Sequence, residues 1–319
     1  MKNKKITIFV LLLVLILVPI IIVYLLRGPR DFITNINENP KVSESTVHLG
    51  EEYLDISYKV LEKEELTLDF YAPSKSNKTT WPLIIYIHGG SWAFGDKSID
   101  DSFIPILNKL KEKGYAIASI NYRLSSSDSS FPSPVEDCKD AIRWFYKNKD
   151  IYNIDTDNIG LLGVSSGAHL ALLSSYSNEN DFIGDESLSS YKSNIKYVID
   201  YSGPTNFDIN DIRSSDETSM SIIKNLLGED NIYKEDLLNL ASPINYIDSN
   251  STPTLIIHGE KDSTVPINQS IKLYEKGIDA GMNINLLKVD NGDHSLSNID
   301  YIDMIKIATE TLRFIEKNK

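Results

Sequence analysis

From Tyr53 to the C-terminus the apolar positions follow two periods in turn. The segments YLDISYKV (53–60) and LTLDFYAP (66–73) alternate apolar with polar residues, which suits strands with one covered face. Further along, PLIIYIHGG (82–90), YAIASINYRL (115–124), NIGLLGV (158–164), IKYVIDYSG (195–203), TPTLIIHGE (252–260) and INLLKVDNG (284–292) are short, nearly continuous apolar runs. Between them the period lengthens to that of amphipathic helices, as in SPVEDCKDAIRWFYKNKD (133–150), INQSIKLYEKGIDAG (267–281) and DMIKIATETLRFIEKN (303–318). Strands that are apolar on both faces need cover on both. The pattern therefore predicts an α/β fold: a mostly parallel sheet with helices on both faces, entered through antiparallel strands. Two stretches fit it poorly. SSSDSSFPSP (125–134) reads as a loop, and residues 206–240 as an acidic, helical insertion between two sheet strands. Such an insertion either shapes a binding site at the carboxyl edge of the sheet or is a surface excursion.

The first thirty residues obey neither period. After MKNKK, the 21 residues Ile6–Leu26 carry no charge. As a helix they would extend roughly 31 Å, the thickness of a bilayer's hydrocarbon core. A signal peptide has a shorter apolar centre and a small-residue cleavage site, and no A-x-A follows here. Three lysines precede the run and Arg27 and Arg30 follow it, which favours the N-terminus inside and the remainder outside. The expected organisation is a membrane-spanning signal-anchor over 1–27, a polar linker over 28–45 and one domain over 46–319. Secretion after signal cleavage is the rival reading.

The formal net charge of −13 opposes nucleic-acid backbones, so no nucleic-acid partner is expected. The single cysteine, Cys138, excludes an internal disulfide and a cysteine-based metal cluster, and its helical-period setting suits a buried thiol.

The candidate chemistry begins in NIGLLGVSSGAHLALL (158–173), where a strand pattern meets a helix pattern at two serines. Gly163-Val164-Ser165-Ser166-Gly167 has the form G-x-S-x-G, which presents a hydroxyl on a sharp turn above a sheet and aims the following helix's N–H groups at the same place. Ser165 holds the nucleophile position, and Ser166 would offer its backbone N–H. A serine hydroxyl needs an oriented imidazole. Of the five histidines, His294 lies in a loop after the last predicted strand and can reach such a serine. His48, His169 and His258 read as structural, and His88 partly so. The orienting acid should follow another strand. Asp262 in LIIHGEKDSTVP is preferred over Glu260, Asp200 and Asp293. Finally, His88-Gly89-Gly90-Ser91-Trp92 ends a strand with glycines that let backbone N–H groups converge on an oxyanion.

These segments, with FPSPVEDCKDAIRWFY, YSGPTNF and NGDHS, resemble an α/β-hydrolase of the esterase/lipase type bearing an H-G-G-x-W motif. That branch includes feruloyl- and acetyl-xylan-esterase-like acyl esterases and kynurenine-formamidase-like relatives. The resemblance implies a catalytic triad of Ser165, Asp262 and His294. It also implies oxyanion donors at Gly90, Ser91 and Ser166, and a motif or substrate pocket at His88, Gly89 and Trp92. It implies a small-molecule ester substrate, with neither metal nor organic cofactor. Ser91 replaces the third glycine of H-G-G-G enzymes, which argues against that branch, and Ser166 stands where alanine is usual. Amidase or peptidase activity, of the aryl-formamidase or prolyl-oligopeptidase kind, is the alternative. A non-catalytic binding module on the same fold is a more distant one.

Overall fold

The computed structural model describes residues 47–126, 130–208 and 217–319. The expected anchor and linker lie outside these residues. No helix among the described residues is long and apolar enough to cross a membrane.

One eight-stranded sheet organises the domain, in the order β1-β2-β4-β3-β5-β6-β7-β8. The hairpin β1 (Glu52–Val60) and β2 (Glu65–Tyr71) is antiparallel, and β2 joins β4 (Ala116–Ile120) antiparallel as well. The rest run parallel: β3 (Trp81–Ile87), β4, β5 (Ile154–Val164), β6 (Tyr197–Tyr201), β7 (Thr254–Gly259) and β8 (Ile284–Val289).

The strand alternation divides the core in two. Leu83, Ile85 and Ile87 of β3 face one side, with the helices α2 (Ser133–Lys147), α3 (Ser166–Tyr176) and α6 (Asn268–Asp279). Ile84 and Tyr86 face the other, with α1 (Ile104–Glu112) and α7 (Tyr301–Asn318). Between α3 and α6 the chain adds α4 (Glu217–Leu227) and α5 (Glu235–Ala241). Ten of the eleven residues of α3 are buried, so the helix presents almost no face to solvent. Leu170, Leu172 and Leu173 are each 0% exposed, and such burial contributes about 1.5–3 kcal/mol per side chain.

The path of the chain opens a crevice. After β3 it leaves across one face through α1; after the adjacent β5 it leaves across the other through α3. Loops that part in this way leave room at the carboxyl ends of the two strands, where ligands of open α/β sheets bind.

From 217 onward the inserted segment is no surface excursion. Leu226, Leu227, Leu238 and Ala241 are buried in the core on the α3 side. The Phe131 N–H donates to the Leu226 carbonyl at 2.7 Å, so the serine- and proline-rich loop and the insertion meet.

Candidate active site

Strand β5 ends at Val164 and α3 begins at Ser166, so Ser165 alone makes the corner. Its φ of 52° and ψ of −118° lie where non-glycine residues are rare, at a cost of order 1–3 kcal/mol that the surroundings must offset. Its N–H is held by the Tyr201 carbonyl at 2.7 Å. The flanking glycines are required by space. A Cβ on Gly163 would stand 2.4 Å from the Gly167 carbonyl oxygen, and one on Gly167 only 2.1 Å from that of Ile87.

The structure brings Ser165, His294 and Asp262 together across 129 and 32 residues of sequence. His294 Nε2 lies 2.9 Å from Ser165 Oγ, and His294 Nδ1 lies 2.7 Å from Asp262 Oδ2. The loops after β7 and β8 carry the acid and the imidazole. They pack so closely that a Cβ on Gly259 would meet the Gly292 carbonyl oxygen at 2.3 Å. Asp262 Oδ1 accepts the N–H groups of Thr264 and Val265, both at 2.8 Å. Burial pushes its carboxyl up, but hydrogen bonds from His258, His294 and Val265 outweigh that and hold it well below the usual carboxylate range. An ionised carboxylate can only accept, so the proton between the two sits on His294 Nδ1. That leaves Nε2 to accept the Ser165 hydroxyl proton.

A second histidine, read above as merely structural, also touches this acid. His258 Nε2 is 3.0 Å from Asp262 Oδ2 and 2.8 Å from the Val265 carbonyl oxygen. Two acceptors fix its proton on Nε2, and Nδ1 receives the hydroxyl of Ser270 at 2.7 Å. His258, the last residue but one of β7, precedes Asp262 by only four residues, but that spacing does not say that its ring turns onto the acid.

The HGGSW loop lies against the serine turn, since a Cβ on Gly89 would touch Ser165 Cβ at 3.5 Å. Gly90, Ser91 and Trp92 all have positive φ, at 121°, 53° and 59°. Among the described residues the backbone N–H groups of Gly90, Ser91 and Ser166 have no protein acceptor. The side chains of His88 and Trp92 are buried, at 4% and 1% exposure, so they support this loop from within and do not line an open pocket. The His88 ring stacks on Tyr122 at 4.3 Å, and burial lowers its pKa.

Asp200 is not part of the cluster. It is fully buried and accepts the Gly203 N–H at 2.8 Å. Asp293 is spent on Ser297, and Cys138 is buried, which pushes its thiol well up. No group of His, Cys, Asp or Glu among the described residues is placed to hold a metal ion. A cavity of about 440 Å³, lined by Lys75, Pro82, Lys113 and Tyr115, lies at the amino ends of the strands, opposite this chemistry.

The sheet order, the crevice and the serine corner define an α/β-hydrolase fold. Within it, residues 68–276 match the family model described as BD-FAE, and the chain belongs to that family. It is 29% identical to the esterase LipQ of Mycobacterium tuberculosis, over 76% of this chain and 56% of that protein. The esterase LipC of the same organism is 27% identical, over 61% and 48%. The chain thus spans about half the length of the curated relatives it matches. Among solved structures, a truncated carbohydrate esterase from gut microbiota superposes with a TM-score of 0.70 at 27% identity, covering 86% of this chain and 99% of that one.

Proposed function

We propose that the protein hydrolyses carboxylic esters through an acyl-enzyme on Ser165, with Asp262 and His294 completing a triad. The observation that carries this is the unbroken line from Asp262 Oδ2 through both His294 nitrogens to Ser165 Oγ, at 2.7 and 2.9 Å. Ser165 Oγ attacks the ester carbonyl as His294 Nε2 takes its proton. Asp262 stabilises the imidazolium and keeps its own charge. The tetrahedral oxyanion is met by the N–H groups of Gly90, Ser91 and Ser166, the arrangement that contributes most to such catalysis. The imidazolium then protonates the departing alcohol. Water enters, His294 removes its proton, and the acyl group leaves as the acid.

A short acyl group on a carbohydrate is the substrate class we favour, because the solved carbohydrate esterase is matched over 99% of its truncated chain. Ser165→Ala should abolish hydrolysis of p-nitrophenyl acetate by residues 46–319 and labelling by a fluorophosphonate probe. Activity equal to the unmodified protein would refute the assignment. We further propose that Ile6–Leu26 anchors the chain, with the hydrolase domain outside the membrane. The full chain should then stay with membranes through a carbonate wash. A mature N-terminus beyond Arg30 would overturn the anchor.

A further inference from the structure

The HGGSW loop holds three consecutive residues at positive φ, two of them with side chains. Each non-glycine residue there costs of order 1–3 kcal/mol, so the loop keeps its shape only if it is held from outside. Part of the hold is backbone. The N–H groups of Ala93 and Phe94 both donate to the Gly90 carbonyl, and Ser125 N–H donates to that of Trp92 at 2.8 Å.

The rest is a side-chain chain that reaches the inserted segment. Trp92 Nε1 donates to His169 Nδ1 at 3.1 Å, ring edge to ring face, inside the protein. An indole N–H can only donate, so His169 Nδ1 is the acceptor and its proton sits on Nε2. That proton goes to the Ala241 carbonyl at 2.8 Å, at the end of α5. Burial holds the His169 pKa down to about 4, so the ring stays neutral at working pH. His169 is also fixed to the corner, because its N–H donates to the Ser165 carbonyl at 3.1 Å. The entry to the insertion converges on the same pair. The Phe207 ring packs on Trp92 at 6.1 Å and on His169 at 5.4 Å, and its N–H is held by Ser242 Oγ at 2.8 Å, next to Ala241.

We propose that His169 is a positioning residue: it ties the oxyanion loop to the inserted segment through one imidazole, so that the loop's geometry depends on where residues 207 and 241 sit. This rests on the esterase reading and gives the insertion a part in it. A loop that stabilises the oxyanion acts on the transition state, so its loss lowers kcat and leaves KM alone.

Two isosteric replacements separate the two ends of the ring. In His169→Asn, Oδ1 stands where Nδ1 stood and keeps an acceptor for Trp92 while giving up Ala241. In His169→Gln, Nε2 stands where the ring Nε2 stood and keeps the donor to Ala241 while giving up Trp92. With p-nitrophenyl acetate, and enzyme counted by fluorophosphonate titration, His169→Gln and Trp92→Phe should each lower kcat about 10- to 100-fold, part of the loss expected for a missing oxyanion donor. KM should stay within about twofold, and the Gln/Phe double variant should be no worse than either single, because both remove one interaction. His169→Asn cuts the other end of the same tie and should also lower kcat, by about tenfold or more. Unchanged kcat in His169→Asn, which would leave the insertion without a part in the loop's geometry, or additive losses in the double variant, would overturn the proposal.

A second measurement needs neither turnover nor a stable variant at position 169. In the unmodified protein the Trp92 indole proton, assigned by Trp92→Phe, should resist exchange with solvent; exchange as fast as an exposed indole would overturn the latch. If the unmodified protein neither hydrolyses esters nor takes the probe, the esterase reading fails, and indole protection still decides whether the latch exists.

Discussion

Asp200, next to last in β6, and Asp262, just past the end of neighbouring β7, are aspartates with buried side chains at the carboxyl edge of one sheet. Asp262 receives two backbone N–H groups on one oxygen and two imidazoles on the other. Asp200 receives a single N–H on Oδ1, and its Oδ2 is buried without a partner among the described residues. The first carboxyl is held well below the usual range; the second is pushed by burial up to about 7. Burial penalises the charge of both, so the donors decide. His258 gives its Nε2 proton to Asp262 and its Nδ1 to the Ser270 hydroxyl, so neither ring nitrogen serves Asp200.

The largest effect that could break this contrast is on turnover. Asp262→Asn should lower kcat about 10³- to 10⁴-fold, because an amide can turn its N–H toward His294 and force the proton onto Nε2, where the serine needs an acceptor. Asp200→Asn should leave kcat for p-nitrophenyl acetate within about twofold. A loss in Asp200→Asn comparable to that in Asp262→Asn would mean that Asp200 also bears on turnover, and the contrast between the two would fail.

That Asp262 and not Asp200 lies beside His294 was legible from position: Asp262 follows a strand and precedes His294 in the order this chemistry uses. The sheet was legible too, since β3 and β5–β7 announce themselves as buried apolar runs, and α2, α6 and α7 by their period. The serine corner was readable because G-x-S-x-G, with its glycines, is a steric requirement written locally: neither Gly163 nor Gly167 has room for a Cβ. What stayed hidden depends on distant chain meeting in space. That His258 faces Asp262 follows from a loop that turns back on itself. That His169 joins Trp92 to Ala241 depends on contacts 77 and 72 residues apart, which no spacing encodes. Burial of Phe207 and of Leu226, Leu227 and Leu238 in the core on the α3 side was invisible for the same reason, masked by the acidic composition around them.

The subtler consequence of the contrast is in stability. The Asp200 carboxyl sits near 7 in the folded protein against an ordinary 3.8, so between those values the native state keeps a proton that the unfolded chain releases. The sign follows from that proton: stability from this group is full below about pH 4, declines as pH rises, and is gone once pH passes the folded value near 7. Each unit of difference corresponds to about 1.4 kcal/mol, so a few kcal/mol are at stake at most. In Asp200→Asn the amide oxygen can still accept the Gly203 N–H, and nothing titrates. Measured by thermal unfolding, the variant should match the unmodified protein near pH 4.5 and exceed it by several degrees at pH 8. A difference in Tm that does not change with pH would mean that Asp200 is ionised throughout. The undersupply of donors that separates it from Asp262 would then be filled by a partner, such as buried water, that satisfies Oδ2.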